Sequence, residues 1–204
     1  SIISGLSDNY SDVSTNREAG VVFIRFHTTG ACHFFNFPLS EIENQSVDLT
    51  DIFNTEIRQL EELLYFKDPI NEKVAVIENF LIRRYSPIPT HDKLLIQKGF
   101  EIIKSSKGQT SVKYLSDCLH ASPKTIERKF AKYFGKTTKQ LIKLIRFRGV
   151  LHDFGCIKEL SFTEHACNNG YFDQSHFIHD FKSYTGYTPK EFFARYPDCD
   201  INAD

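Results

Sequence analysis

The chain has 204 residues, of which 41% are hydrophobic and 25% are charged, and its formal net charge is −1. This length suits one or two globular domains. No segment approaches the run of about 20 apolar residues that a membrane helix needs, no secretory leader is evident, and the five cysteines lack CxxC spacing. We therefore expect a cytoplasmic protein rather than a membrane protein or a disulfide scaffold. The chain contains no methionine, so we also expect that it is part of a longer protein.

The small net charge conceals an asymmetry between the two halves of the chain. Residues 1–89 hold 7 Lys and Arg against 13 Asp and Glu, a balance of −6, whereas residues 90–204 hold 18 against 13, a balance of +5. Basic side chains can neutralise phosphates, although any single lysine equally fits a solvated helix face. The candidates for phosphate neutralisation are Lys124, Lys129, Lys132, Lys136, Lys139, Lys143, Arg146 and Arg148.

The acidic half predicts the end of a β-sheet followed by two helices. Residues 21–26 and 32–37 are rich in β-prone residues and flank a Thr-Thr-Gly turn at residues 28–30, which indicates a hairpin. Apolar residues then recur at helical spacing in residues 50–65 and 71–85. Such a helix pair either dimerises or only covers the sheet, and both alternatives stay open.

One helical pattern occurs twice in the basic half. Residues 111–135 and 161–186 carry apolar and small residues at matching positions. Each copy predicts a short helix, a tight turn and a second helix, which begins at Ser122 in the first copy and at Asp173 in the second, because both are favoured N-cap residues. The arrangement is typical of a helix-turn-helix, whose second helix enters the DNA major groove. A helical repeat used only for packing is the alternative.

The second helix of each copy carries polar and basic residues outside its apolar face. They include Lys124 and Arg128 in the first copy, and Gln174 and His179 in the second. These side chains carry the donors and acceptors that read base edges. The repeat therefore favours nucleic-acid recognition over packing alone.

The second copy contains the most specific motif. Residues 170–192 read GYFDQSHFIHDFKSYTGYTPKEF, and residues 102–196 resemble the DNA-binding domain of the AraC/XylS family of bacterial transcription regulators. The resemblance implies a mainly α fold in which seven helices form two helix-turn-helix units, joined by a long helix at residues 138–154. At about 1.5 Å per residue, this helix spans about 25 Å. The two recognition helices are thus expected to enter successive major grooves.

The resemblance also implies a domain organisation and a set of partners. Residues 1–86 are expected to be the tail of an effector-binding and dimerisation domain, a truncated α+β segment with a hairpin and two helices. The proline-containing residues 87–92 form the expected linker, and residues 93–197 form the DNA-binding domain. The implied function is that of a sequence-specific, ligand-responsive transcription regulator. The implied partners are double-stranded DNA, a small-molecule effector, a second copy of the chain and RNA polymerase.

The family's contacts, carried onto matching positions, give two groups of residues. The residues expected to contact bases are Lys124, Glu127, Arg128, Gln174, Ser175, Ile178 and His179. The residues expected to contact phosphates are Ser122, Thr125, Lys129, Lys132, Arg146, Asn169 and His176. Arg146 fits equally well a contact that braces the two subdomains. By side-chain chemistry, Arg128 suits guanine, Glu127 cytosine, Gln174 adenine and Ile178 a thymine methyl.

Three histidines depart from the family's pattern. His120 occupies a turn position where glycine is usual, so we expect a positive φ there at a cost of about 1 kcal/mol. His165 replaces an apolar residue and is expected to be a core histidine. His179 replaces an arginine, and a neutral imidazole binds phosphate or guanine more weakly. We therefore expect the contacts of the first unit to dominate affinity for DNA.

A catalytic site is only weakly indicated. His27 and His33 flank the predicted hairpin turn, but they lack the close spacing and the following carboxylate of a metal centre in a barrel. No nucleophile elbow, phosphate-binding glycine loop or carboxylate pair stands out. We therefore expect no enzymatic activity, no metal and no cofactor. Two alternatives remain: a protein-interaction adaptor on the helix-turn-helix scaffold, and a metal-dependent barrel enzyme fused to a DNA-binding module.

Overall fold

The computed structural model describes residues 1–10, 21–67, 69–156 and 161–196. These residues form a two-stranded antiparallel sheet, β1 (Ile2–Ser4) and β2 (Ser46–Asp48), and nine α-helices. The helices are α1 (Leu49–Tyr65), α2 (Ile70–Arg84), α3 (Thr90–Ser105), α4 (Val112–Leu119), α5 (Pro123–Phe134), α6 (Thr138–Cys156), α7 (Phe162–Asn168), α8 (Gln174–Thr185) and α9 (Pro189–Arg195). The predicted mainly α fold class is confirmed.

The predicted position of the hairpin is wrong. Residues 21–26 have no regular secondary structure, and the second β-prone run begins within the 3₁₀ turn Ala31–His33. Phe34 and Phe35 both pack on the ring of Phe26, with ring centroids at 5.4 and 5.6 Å. Consecutive residues of a strand point to opposite faces, so a regular strand would not bring both rings onto the same neighbour.

The two upstream helices form where the apolar periodicity predicts them. Helix α1 begins after Asp48, whose side chain accepts a hydrogen bond from the backbone N–H of Thr50 at 2.8 Å. Ile57 and Leu60 are the buried residues of α1, which packs against α2. Helix α3 begins at Thr90, so the last residues of the predicted linker are helical. The division of the chain into two domains stays a prediction.

Helix α6 is shared by two hydrophobic cores. Its residues Leu141 and Ile142 belong to a core formed with α3, α4 and α5, whereas Phe147 and Val150 belong to a core formed with α7 and α8. The other buried residues of the first core are Leu95, Ile96, Ile103, Leu115, Ile126, Phe130, Tyr133 and Phe134. Those of the second are Ala166, Tyr171, Phe177 and Phe181. Each repeat therefore packs around its own core, and α6 connects the two.

Candidate nucleic-acid interface

The first helix-turn-helix unit, α4 and α5, has a tight turn held by short side chains. Ser111 caps the start of α4, and His120, which follows its last residue, has the expected left-handed backbone with a φ of 49°. Ser116 donates a hydrogen bond from Oγ to the carbonyl of Ala121 at 2.6 Å. Ser122 then caps α5. The small side chain at position 116 thus closes the turn and lets α4 and α5 approach each other.

The second unit, α7 and α8, repeats this geometry with different residues. Ser161 and Glu164 form a capping box at the start of α7. The turn contains Gly170 at the position that matches His120, and its φ of 78° is also left-handed. Asp173 accepts a hydrogen bond from the backbone of the first turn of α8 at 2.7 Å. Both recognition helices, α5 and α8, are therefore preceded by a turn that contains one residue with a left-handed backbone.

Helix α5 exposes a basic stripe opposite its buried face. Lys124, Arg128 and Lys132 are exposed and follow one another at intervals of four residues, which places them on one side of the helix. Ile126 and Phe130 are fully buried on the other side. The stripe presents a guanidinium group and two ammonium groups to solvent, where they can bind base edges or phosphates.

Helix α8 exposes mainly polar groups. Gln174, Ser175 and His179 are exposed, whereas Phe177 is buried in the second core. Ile178 is half-buried and packs against the same core, so only part of its side chain is available for a thymine methyl. Helix α8 therefore presents hydrogen-bonding groups with less positive charge than α5.

Three of the predicted phosphate contacts lie near the starts of the recognition helices. Ser122 is exposed, Thr125 is half-buried, and their hydroxyl oxygens lie 2.9 Å apart. His176 is exposed, and its Nε2 lies 3.8 Å from the Oδ2 of Asp180. All three predicted phosphate contacts are therefore accessible at or near the positive end of a helix dipole.

Two predicted contact residues of α5 are instead engaged within the protein. Glu127 Oε2 accepts a hydrogen bond from the backbone N–H of Thr138 at 2.9 Å, at the start of α6. Lys129 forms an ion pair with Asp92, a buried residue of α3, whose Oδ2 also accepts a hydrogen bond from the Tyr133 hydroxyl at 2.6 Å. These contacts hold α5 against α6 and α3, so the geometry does not support Glu127 and Lys129 as DNA contacts.

The protonation of the Asp92 cluster follows from its hydrogen bonds. Burial raises the pKa of Asp92, but the hydrogen bonds from Lys129 and Tyr133 and the charge of Lys129 outweigh it, so the pKa lies below its usual 3.8. Burial and the adjacent carboxylate raise the pKa of Tyr133 well above its usual value. At neutral pH, Asp92 is therefore an anion and Tyr133 a neutral donor.

Arg146 and Asn169 are also engaged inside the molecule. Arg146 donates from Nε and Nη2 to the carbonyl of Gly108 at 3.2 and 2.9 Å, and its guanidinium lies 5.8 Å from the centre of the Tyr171 ring. This geometry favours the bracing alternative for Arg146. Asn169 is fully buried, and its Nδ2 donates to Asp153 Oδ2 at 2.9 Å. This burial does not support Asn169 as a phosphate contact, which stays a prediction.

Two further lysines from the basic half are not free to neutralise phosphates. Lys136 is 1% exposed and binds Asp8 and Glu43. Lys143 pairs with the buried Asp180 at 2.8 Å. Their carboxylate partners are distant in sequence, and helical spacing alone cannot reveal them.

Phe172, in the turn of the second unit, is a candidate contact residue that the sequence patterns did not indicate. Phe172 is 91% exposed and directly precedes the cap of α8. An exposed ring at the entrance of a recognition helix can contact a thymine methyl group or a deoxyribose. The available signal was that Phe172 lies in the turn, outside the apolar spacing of both helices.

The described residues do not provide a metal site, since no group of three or more His, Cys, Asp and Glu among them is arranged to hold an ion. His33, one of the two histidines considered for such a site, stacks on Tyr85 at 5.3 Å. In the same described ranges, no helix has the length and apolar character to cross a membrane.

Two helix-turn-helix units built on one shared helix define a DNA-binding protein. Residues 115–195 match the family described as a helix-turn-helix domain, which is of the AraC type. This stretch of the chain is therefore similar to AraC-type DNA-binding domains, which supports a DNA-binding transcription regulator.

A solved structure, the C-terminal domain of AraT, a response regulator from Geobacillus stearothermophilus, is similar to this chain. It is 21% identical and has a TM-score of 0.45, and the match covers 50% of this chain and 84% of that one. No curated protein matches the chain.

Proposed function

We propose that the chain reads a specific DNA site by inserting α5 and α8 into successive major grooves, and that it has no catalytic activity. The observation that carries this proposal is the exposure of Lys124 and Arg128 on α5, and of Gln174, Ser175 and His179 on α8, opposite buried apolar faces. Helix α6 has 19 residues and therefore spans about 28 Å. This length is compatible with two recognition helices that lie about one turn of DNA apart.

The experiment is selection of bound sites from random duplex DNA with the purified chain. We expect a motif with two short half-sites whose centres lie about 10 base pairs apart. A chain that enriches no sequence would contradict the proposal.

The salt dependence of binding separates this function from a protein-interaction adaptor. Each phosphate contact releases counterions, so affinity for DNA should fall steeply as salt rises. We expect Lys132→Ala to reduce the slope of log affinity against log salt by about 1. Lys190→Ala, a change of an exposed lysine on α9, is the matched control. An adaptor that binds through apolar surfaces would show little salt response.

For the ligand response, we propose an anionic effector in a cleft between residues 25–29, α3 and α6. The cleft has a volume of about 1020 Å³, with Phe26 and Phe100 among its lining residues. The basic residues that line it are Arg25, Lys104, Lys107 and Arg148. Asp153 also lines it, but its carboxylate already binds Lys107 at 3.0 Å. The excess positive charge together with aromatic rings suits a ligand with both an anionic and a planar group.

Calorimetric titration with ADP tests this cleft. Parallel titrations with adenosine, which has the planar ring but no phosphate, and with pyrophosphate, which has the charge but no ring, measure the two contributions separately. We expect ADP to bind most tightly and Arg148→Glu to abolish its binding, whereas Lys190→Glu should leave it unchanged. Equal binding by both variants, or no binding, would contradict the proposed site. Homodimerisation and contact with RNA polymerase stay predictions from the family resemblance.

A further inference from the structure

Lys136 is a buried cation at the junction of the recognition helix α5 and the shared helix α6. Its Nζ donates to Asp8 Oδ2 at 2.7 Å, Glu43 Oε1 at 3.0 Å and Asn44 Oδ1 at 3.0 Å. All three ammonium donors are therefore satisfied by residues of the N-terminal part of the chain. Burying a lysine is unfavourable unless it is paired and hydrogen-bonded. Asp8, Glu43 and Asn44 therefore stabilise the buried position of Lys136 at the junction of α5 and α6.

Gln140, in the first turn of α6, reinforces the same contact. Its Nε2 donates to Asp8 Oδ2 at 3.0 Å and to Glu43 Oε1 at 2.7 Å. Its Oε1 accepts hydrogen bonds from the backbone and hydroxyl of Thr137, which fixes the orientation of the amide. The two carboxylates are thus held by both Lys136 and Gln140 at the junction of α5 and α6.

The same N-terminal segment also contacts the end of the second recognition helix. The carbonyl of Asp8 accepts a hydrogen bond from Ser183 Oγ, on α8, at 2.9 Å. The ring of Tyr10 lies against Gly186, where a Cβ would approach it to 2.7 Å. Burial, followed by the charges of Asp8 and Asp180, raises the pKa of Tyr184, which is consistent with the closeness of Asp8 to α8. Asp8 therefore joins both units, through its carboxylate and through its backbone.

We propose that Asp8 and Tyr10, with Glu43, form a bridge that fixes the relative placement of α5 and α8 and thereby determines which half-site spacing the protein accepts. The inference rests on the proposed DNA-binding function. A single helix can bend. If α6 were the only connection, the distance and the rotation between the recognition helices α5 and α8 would therefore remain adjustable. A second connection through the bridge closes a ring around the two units and removes that freedom. Asp8, Tyr10 and Glu43 are thus positioning residues that act on specificity without touching DNA.

The test uses the whole chain with Ser183→Ala and Tyr10→Ala combined, which releases α8 from the bridge and leaves the buried Lys136 paired. Ser105→Ala combined with Tyr65→Ala is the matched control, because both residues are exposed and the Ser105 hydroxyl bonds within its own helix. Affinity is measured on the selected site, on sites lengthened or shortened by one and two base pairs between the half-sites, and on a single half-site.

We expect the wild-type chain and the control to lose about tenfold in affinity on the altered spacings. The bridge variant should discriminate among spacings by less than about threefold, with unchanged affinity for a single half-site.

A uniform loss on every site would indicate a purely structural role, and a wild-type spacing profile would show that the bridge does not set spacing. Either outcome overturns the inference. If the double variant melts early, Ser183→Ala alone, which removes the hydrogen bond to the Asp8 carbonyl and leaves Lys136 paired, gives the same comparison. A wild-type chain that selects no site would contradict the proposed function instead.

Discussion

Glu127 and Thr138 join the first recognition helix to the shared helix, because the Glu127 carboxylate accepts the backbone N–H of Thr138 at 2.9 Å. The first N–H groups of a helix have no partner within the helix, and a side-chain acceptor there is typical of a cap. The carboxylate charge also lies at the positive end of the α6 dipole. Glu127 is therefore better explained as a cap supplied by a neighbouring helix than as a base contact.

We expect Glu127→Ala to lower the free energy of unfolding by about 1 kcal/mol, as the loss of a cap does. Urea denaturation measures the change, with the exposed Glu101→Ala on α3 as the control. Base preference in site selection should remain as in the wild-type chain. A changed preference at one base pair with unchanged stability would restore the original assignment of Glu127 as a base contact.

The Asp92 cluster predicts a loss of stability in acid. Because the pKa of Asp92 in the folded chain lies below its usual 3.8, the unfolded chain binds a proton more readily than the folded chain. The stabilisation is therefore complete above pH of about 4 and is lost as pH falls through the folded pKa. We expect the difference in unfolding free energy between the wild-type chain and Asp92→Asn to shrink below pH of about 4.

Chemical denaturation at a series of pH values measures this difference. Asp117→Asn, at an exposed carboxylate on α4, is the control for the removal of one negative charge. A constant difference for Asp92→Asn would mean that the ion pair with Lys129 does not contribute to the acid response.

The helices and their caps were predictable because their signals are local. The apolar spacing of residues 50–65 and 71–85 predicts two helices, observed as α1 (Leu49–Tyr65) and α2 (Ile70–Arg84), and Ser122 and Asp173 mark the starts of α5 and α8. Each signal depends on residues within one or two turns of helix. The β-prone runs failed for the opposite reason, since the aromatic cluster around Phe35 forms between segments that are distant in sequence.

Two lysines that the sequence offered for phosphate contacts are engaged by partners far away in sequence. Lys136 pairs with Asp8, 128 residues away, and Lys129 pairs with Asp92, 37 residues away. On its own helix, each lysine looks like any residue of a solvated basic face. A sequence pattern reports which groups a helix offers, and only the tertiary structure reports which of them remain available for DNA.

His120 is expected to limit stability because it adopts the left-handed conformation that glycine adopts without strain. Its φ is 49°, and the matching residue of the second unit is Gly170. We expect His120→Gly to raise the free energy of unfolding by about 0.5–1 kcal/mol. His91→Gly, within the first turn of α3, should lower it, since glycine is unfavourable in a helix. Thermal denaturation of both variants compares the two effects, and equal signs would contradict the conformational explanation.

Phe172 is expected to contribute to DNA binding and not to folding. Because its ring is 91% exposed, Phe172→Ser should leave the melting temperature unchanged within about 1 °C. We expect it to weaken binding to the selected site by about tenfold through loss of an apolar contact with the groove. Phe66→Ser, at a ring that is 80% exposed after α1, is the control for removal of a surface aromatic. Equal affinities for the two variants would exclude Phe172 from the interface.

The two recognition helices should contribute unequally to affinity. Arg128 on α5 carries a guanidinium group that can donate two hydrogen bonds to guanine, whereas His179 on α8, which is also exposed, carries a smaller imidazole ring. We expect Arg128→Ala to cost about 1–3 kcal/mol of binding free energy and to relax preference at one base pair. His179→Ala should cost less. Parallel titrations on the selected site, at one salt concentration, measure both, and a larger loss from the histidine change would place the dominant contacts on α8.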